Sequence, residues 1–378
     1  MKIESRLWTS TKGWQPEPQS LGPLANLVFL FGNRHVLTQK HLLAEIRAAY
    51  PNAHLVGCST AGEIHQTHVL DDSLTTTAVH FEQTSIKVVH TQIVDAAQSR
   101  AAGAELISLL PKENLVHVMV FSDGLGVNGS ELVKGLTESL PPPVAVTGGL
   151  AGDGADFKQT LVCSDETPKE GKAVAIGFYG SHLKVGYGSM GGWDSFGPER
   201  LITRSKGNVL YELEGKSALT LYKTYLGDAA AGLPSTALLF PLSLRIVGQP
   251  SGIVRTILSV DDKDQSMTFA GDVPEGSYAR FMKANFERLI DGANGSARIS
   301  RGENEQGSPD LAILISCVGR KLVLKQRIEE EVEAVREALG ERTVLTGFYS
   351  YGEISPFMPN AKCELHNQTM TITTFSER

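Results

Sequence analysis

Gly57-Cys58-Ser59-Thr60-Ala61-Gly62-Glu63-Ile64 and Gly347-Phe348-Tyr349-Ser350-Tyr351-Gly352-Glu353-Ile354 share the pattern Gly-x-x-Ser/Thr-x-Gly-Glu-Ile, 290 residues apart. A looser cousin, Gly148-Gly149-Leu150-Ala151-Gly152-Asp153, lies between them. Each stretch follows a short apolar run, and each run follows a helical pattern that itself follows a longer apolar run. Two good copies and one degraded copy of the same order predict a unit that occurs three times along the chain.

Working outward, the first unit reads as a strand over 27–31, a helix over 35–50 with Leu42, Leu43, Ile46 and Ala49 at helical spacing, and a strand over 54–58. Pro51 stops that helix, and 73–81 with 85–91 reads as a Thr- and Val-rich hairpin. The second unit reads as strands 115–121, 144–146, 157–163 and 173–179, with a helix over 128–140 opened by Asn128 and Glu131 at capping-box spacing. The third has strands at 311–316 and 343–347, a helix over 321–339 with Ile328, Val332, Val335 and Leu339 on one face, and an extended end over 362–374. Between the second and third units come a helix over 211–226, strands at 236–240, 252–260 and 265–270, a helix over 278–290 and a polar loop over 291–309. The fold class expected is α/β with an α+β tendency: mixed sheets with flanking helices, built from repeated β-α-β-β-β units. The expected division is an irregular arm over 1–25, a first domain over 26–214 and a second over 215–378, with the boundary near Gly215.

The chain has 378 residues with 35 Lys plus Arg against 42 Asp plus Glu, a net charge of −7. That field repels nucleic-acid phosphates and anionic membrane surfaces, so neither is an expected partner. No apolar run approaches the roughly 18 residues that span a bilayer, and the first residues lack the apolar stretch of a signal peptide, so the expected address is cytoplasmic. Cys58, Cys163, Cys317 and Cys363 are far apart, with no Cys-x-x-Cys pair, which argues for reduced thiols rather than a disulfide framework or a structural zinc site.

Glycine turns at strand ends let a ligand approach backbone N–H groups closely, and ligands of α/β sheets collect at the carboxyl ends of strands. The candidate ligand-binding residues are therefore Gly57, Cys58, Ser59, Thr60, Gly62, Glu63, Gly149, Asp153, Tyr349, Ser350, Tyr351 and Glu353 in the turns. Ser122, Asp123, Cys317 and Arg320 join them from the ends of the preceding strands. The acids suit an ammonium group and Arg320 suits a carboxylate, while a structural ion pair with a glutamate of the following helix is an equal alternative for Arg320. The bland reading of the turns themselves is that glycine only reverses the chain and the acids cap backbone groups. Cys58 or Cys317 with Asp123 or Asp153 would serve a thiol-dependent enzyme acting on a small metabolite, but no established catalytic signature is present. His65 and His68 stand three apart without a convincing third metal ligand.

These turns, with Leu221-Tyr222-Lys223-Thr224-Tyr225-Leu226-Gly227, Ser316-Cys317-Val318-Gly319-Arg320 and His366-Asn367-Gln368-Thr369-Met370, resemble the N-terminal and C-terminal FIST domains over nearly the whole chain. The resemblance implies a non-enzymatic sensor of a small ligand, with amino acids as the proposed class. It also implies a separate signalling partner such as a histidine kinase, a diguanylate cyclase or a chemotaxis receptor. The stretch Tyr179-Gly180-Ser181-His182-Leu183-Lys184-Val185, continuing to Trp193, is similar to the NosP subgroup, which binds haem and senses nitric oxide. That similarity implies a non-covalent haem b with His182 on the iron, walled by Phe178, Leu183, Val185 and Tyr187.

Overall fold

The computed structural model describes residues 1–16, 21–246, 252–302, 307–358 and 361–378. The first unit contains β1 (Lys2–Thr9), β2 (Gly13–Gln15), β3 (Leu27–Gly32), α1 (Arg34–Leu37), α2 (Lys40–Ala49), β4 (His54–Ser59), β5 (Glu63–His65), β6 (His68–Leu70) and β7 (Ser73–His80). The second contains β8 (Ser85–Gln92), α3 (Ser99–Ser108), β9 (Leu115–Ser122), α4 (Gly129–Glu138), β10 (Ala145–Leu150), β11 (Val162–Ser164) and β12 (Lys172–Tyr179). The third opens with β13 (Leu183–Met190) and is then interrupted. The insertion holds β14 (Trp193–Lys206), β15 (Val209–Leu213), β16 (Lys216–Ser217), α5 (Ala218–Leu226), β17 (Leu242–Arg245), β18 (Ile253–Arg255), β19 (Ile257–Asp261), β20 (Ser266–Phe269) and β21 (Tyr278–Ala284). The third unit resumes with α6 (Phe286–Arg301), β22 (Leu311–Cys317), α7 (Val318–Leu324), α8 (Ile328–Leu339), β23 (Val344–Ser350), β24 (Gly352–Pro356), β25 (Cys363–His366) and β26 (Met370–Glu377).

Each unit makes the same sheet. A parallel pair, β3 with β4, β9 with β10, or β22 with β23, is flanked by an antiparallel third strand, β7, β12 or β26. An eight-residue strand, β1, β8 or β13, then pairs with that third strand along its length. The repeat therefore begins one strand earlier than the sequence pattern suggests. Residues 73–81 and 85–91 are not a hairpin, because β7 lies in the first sheet and β8 in the second. Likewise the arm is not irregular: β1 carries Lys2–Thr9 against β7.

The strand after each glycine turn leaves its own unit. β5 of the first unit pairs with β23 of the third, β11 of the second with β4 of the first, and β24 of the third with β10 of the second. Among the described residues these exchanges close a ring of three six-stranded sheets. Their inner faces meet in one apolar core containing Phe29, Phe31, Met119, Phe121, Ile313, Ile315 and Phe348. The ring of Phe31 lies 4.8 Å from that of Phe348 and 5.5 Å from that of Phe121, so the middle of the body is filled by aromatic side chains.

The insertion forms a fourth, antiparallel sheet around its own core of Ile202, Leu210, Tyr222, Leu242, Phe269 and Phe281. Here the sequence reading departs most from the structure. Residues 211–226 divide into strand β15, β16 and the shorter helix α5, 236–240 fall in a 3₁₀ turn, and 252–260 split into two strands. Residues 278–284 are strand rather than helix, and α6 takes up much of the expected polar loop, of which 303–306 lie outside the described residues. Asn285 caps α6 by accepting from the Arg288 N–H. The expected helix over 321–339 breaks at Lys325, whose φ of 50° is left-handed, and the expected strand over 157–163 shrinks to β11. Asn128 caps α4 through the Glu131 N–H as the capping-box spacing predicts. Gly215 lies in the turn between β15 and β16, inside the fourth sheet. Among the described residues no helix is long and apolar enough to cross a membrane.

Candidate functional site

The strand registers place Gly57, Gly148 and Gly347 at one equivalent position, opposite Leu30, Val120 and Leu314. A Cβ on any of the three would run into the carbonyl oxygen of that facing residue, so the close approach itself demands glycine. Counting onward, Glu63 and Glu353 are also equivalent, whereas Asp153 falls one residue short and stands where the others have Gly62 and Gly352.

Both glutamates are buried and fully engaged. Glu63 accepts from the Thr60 hydroxyl and, on its other oxygen, from the Ser73 N–H at 3.2 Å and hydroxyl at 2.6 Å. Glu353 repeats this with Ser350 at 2.7 Å and with the Thr369 N–H at 3.2 Å and hydroxyl at 2.9 Å. Burial pushes the Glu63 carboxyl up to about 7 and that of Glu353 up to about 8, against the opposing pull of these hydrogen bonds. Each acid ties its turn to the start of the unit's own third strand while the next strand departs for a neighbouring sheet.

The turns converge and bind one another. Gly152 N–H donates to Ser59 carbonyl at 2.9 Å, Tyr349 N–H to Gly62 carbonyl at 2.8 Å, and Tyr351 N–H to Leu150 carbonyl at 3.3 Å. The Ser59 hydroxyl donates to the Gly152 carbonyl at 2.7 Å and accepts the Leu161 N–H. Asp153 accepts from the N–H groups of Phe157, Lys158 and Gln159, from the Tyr351 hydroxyl, and from Arg34 at 2.7 Å. Gly149 packs against Ile315 and Phe348 of the central core. Most polar groups expected to hold a guest are thus spent on the protein itself.

Arg320 is completely buried and forms an ion pair with Glu331 at 2.7 Å, while also donating to the carbonyls of Gly191 and Leu289. The other Glu331 oxygen accepts from the Tyr349 hydroxyl at 2.6 Å and from Ser316 at 3.2 Å. The helix-glutamate alternative is therefore what the geometry contains. Asp123 spends its carboxylate on the N–H groups of Leu125, Gly126 and Gly171, and the Ser122 hydroxyl is buried with no hydrogen-bond acceptor or donor among the described residues. Cys58 and Cys317 are buried, and desolvation holds both thiols well above their ordinary value, the opposite of an activated nucleophile.

His182 is exposed in the β12–β13 turn, its Nδ1 2.7 Å from the Arg378 carbonyl. It borders an open concavity of about 590 Å³ whose lining includes Gln83, Ser85, Lys87, Glu113 and Asn114. Phe178 is fully buried and packs on Phe81 and Phe375, and Leu183 also faces the core. The residues at His182 do not form the flat apolar slot that a non-covalent haem requires. His65 and His68 flank the β5–β6 turn, and no group of three or more His, Cys, Asp or Glu suited to a metal occurs among the described residues.

A cleft of about 330 Å³ does open at the carboxyl ends of β9 and β10, between the ringed body and the fourth sheet. The body contributes Leu125, Val127, Leu150 and Tyr351, and the fourth sheet contributes Asn208, Leu258, Thr268 and Phe269. Asn128 and Glu131 supply polar groups at the N-terminus of α4. Of the turn residues singled out in the sequence, Tyr351 reaches this cleft, its ring stacked on Phe157 with centroids 4.5 Å apart. The capping pair Asn128 and Glu131 was the local signal for one wall. The other wall comes from the insertion and has no counterpart in the repeat.

No curated protein matches the chain. A solved structure, the cyanuric acid hydrolase from A. caulinodans, aligns over 100% of this chain and 99% of its own at 8% identity, with a TM-score of 0.37. The FIST N domain matches residues 26–216 and the FIST C domain residues 218–356. FIST domains are in general sensory and signal-transduction domains that bind small ligands. With both halves matched in order, the chain belongs to the FIST family.

Proposed function

We propose that the protein is a sensor whose small ligand occupies the cleft between the ringed body and the fourth sheet. A partner such as a histidine kinase then reads the arrangement of the two. The observation that carries this reading is the origin of the two walls: Leu150 and Tyr351 belong to the body, whereas Leu258 and Phe269 belong to the insertion. A molecule held by both favours one arrangement of the parts, which is the differential affinity that a ligand-driven shift requires. The lining suits a molecule with an apolar body and a polar head near Asn128 and Glu131, a description that fits an amino acid or a related metabolite. This reading is favoured over haem because apolar side chains from both parts of the fold face the cleft, whereas the residues beside His182 form no flat apolar slot.

The test is a thermal-shift screen of free amino acids and small metabolites against the full chain, repeated with Ala97→Trp, which narrows the cleft from an exposed position. A saturable stabilisation that disappears in Ala97→Trp is expected. A shift that survives this change removes the ligand from the cleft, and a screen without any shift at millimolar concentration overturns the sensor reading.

A further inference from the structure

Arg320 and Arg255 are both buried, and they are treated differently. Arg320, with no exposed surface, has the Glu331 carboxylate at 2.7 Å. Arg255, 4% exposed, has no carboxylate at ion-pair distance among the described residues. Its Nε donates to the Asp272 carbonyl at 3.1 Å and its Nη1 to the Leu365 carbonyl at 2.8 Å, while its Nη2 has only the Ser130 hydroxyl, at 3.5 Å. A guanidinium carries five N–H donors, so this set leaves donors unused, and its charge is met only at longer range, by Glu364 and Asp272. Burial pulls the Arg255 pKa down to about 10.

The guanidinium borders a cavity of about 150 Å³ bounded by α4, β18 and β25. Ser130, in the first turn of α4, accepts from the Asp272 N–H at 3.2 Å, and its own hydroxyl proton has no acceptor among the described residues. The charged side chains lining the cavity are Lys134, Lys362, Arg255, Asp272 and Glu364, of which Arg255 alone is buried. Lys134 is already bridged to Glu131 and Asp272. Burial raises the Glu364 carboxyl.

We propose that this cavity binds the carboxylate group of a small organic acid, with the Nη2 edge of Arg255 and the Ser130 hydroxyl as its donors. The Nη2 donors of a guanidinium with no carboxylate at ion-pair distance suit a carboxylate oxygen, and the first turn of α4 adds a favourable dipole. The cavity admits an acid of only a few heavy atoms. The site stands independently of the cleft at Tyr351.

The experiment measures thermal stability of the full chain against acetate and propionate, with acetamide as the neutral isostere, inorganic phosphate as the alternative anion and sodium chloride at matched ionic strength. Acetate and propionate are expected to stabilise saturably where acetamide and chloride do not. Arg255→Lys should weaken the effect at least tenfold, and Thr137→Phe, which fills the cavity from the flank of α4 and leaves Arg255 in place, should abolish it with the circular dichroism unchanged. Ala97→Trp should leave it intact. Equal responses to acetate and acetamide, or undiminished acetate binding in Thr137→Phe, overturn the site. Saturable stabilisation by phosphate but not by either carboxylate overturns the assignment of the ligand class.

Discussion

The hydroxyl of Tyr351, from the third glycine turn, donates to the carboxylate of Asp153, from the second, across 198 residues of sequence. The same tyrosine is a wall of the cleft, so the contact that locks two turns together also shapes the proposed ligand site. Tyr351→Phe keeps the stack on Phe157 and removes the bond. A loss of about 2 kcal/mol is expected in chemical denaturation, within the range for a hydrogen bond to a charged group, with any ligand-induced thermal shift reduced.

Stability should fall on both sides of weakly acidic pH. Glu63 and Glu353 hold their protons up to about 7 and about 8 in the fold, against an ordinary 4.5. The native chain therefore binds more protons than the unfolded chain above about 4.5, and stability declines as pH rises until both carboxyls have ionised. His117 and His366 act oppositely: burial depresses them to about 3 and about 4 from 6.5, so stability is lost as pH drops below 6.5. Each group contributes at most about 1.4 kcal/mol per pH unit. Urea midpoints from pH 3 to 9 should show both declines, and Glu353→Gln should flatten the alkaline one between about 6.5 and 8.

Breaking the Arg320–Glu331 pair from one side leaves a buried charge exposed to an apolar interior. Glu331→Gln should cost about 3–5 kcal/mol by equilibrium unfolding, because Tyr349 and Ser316 lose an ionised acceptor at the same time. Arg320→Met combined with Glu331→Leu should be less damaging than either single change.

Gly347→Ala puts a methyl group against the Leu314 carbonyl, a backbone atom that cannot rotate away. The expected penalty is about 3 kcal/mol or more, and Gly57→Ala and Gly148→Ala should behave alike if the three units are truly equivalent. Comparable losses of soluble yield and thermal midpoint are the measurement.

The four cysteines are buried, and burial raises all four thiols, Cys163 to about 12. Labelling by a thiol reagent at neutral pH should proceed at the rate of unfolding and accelerate sharply in denaturant. Fast labelling of Cys58 or Cys317 in the native chain would revive a thiol-dependent enzyme.

Much of the repeat was legible because its signals are local. The parallel strands β3, β9 and β22 are unbroken apolar runs, Asn128 announces α4, and a glycine is demanded wherever two parallel strands approach within a side chain's width. The assignment of β7 and β8 to one hairpin failed because both have the alternation and composition of a hairpin, and nothing in either strand states that they belong to different sheets. The helix expected over 278–290 failed because Tyr278–Ala284 pairs with β14, a tertiary partner that overrides local preference.

The sequence alone determined that three related units exist, where their glycine turns lie, and that acids and hydroxyls accompany them, since these depend on residue type and spacing. Only the tertiary structure decided what those groups do. Glu63 is bound to Ser73 of its own unit's third strand, and strand exchange around a closed ring brings Asp153 to Tyr351, so polar side chains that were candidates to meet a ligand are consumed within the protein. The cleft and the cavity at Arg255 arise where the insertion meets the ring, and a contact between segments more than a hundred residues apart leaves no periodicity for a sequence to display.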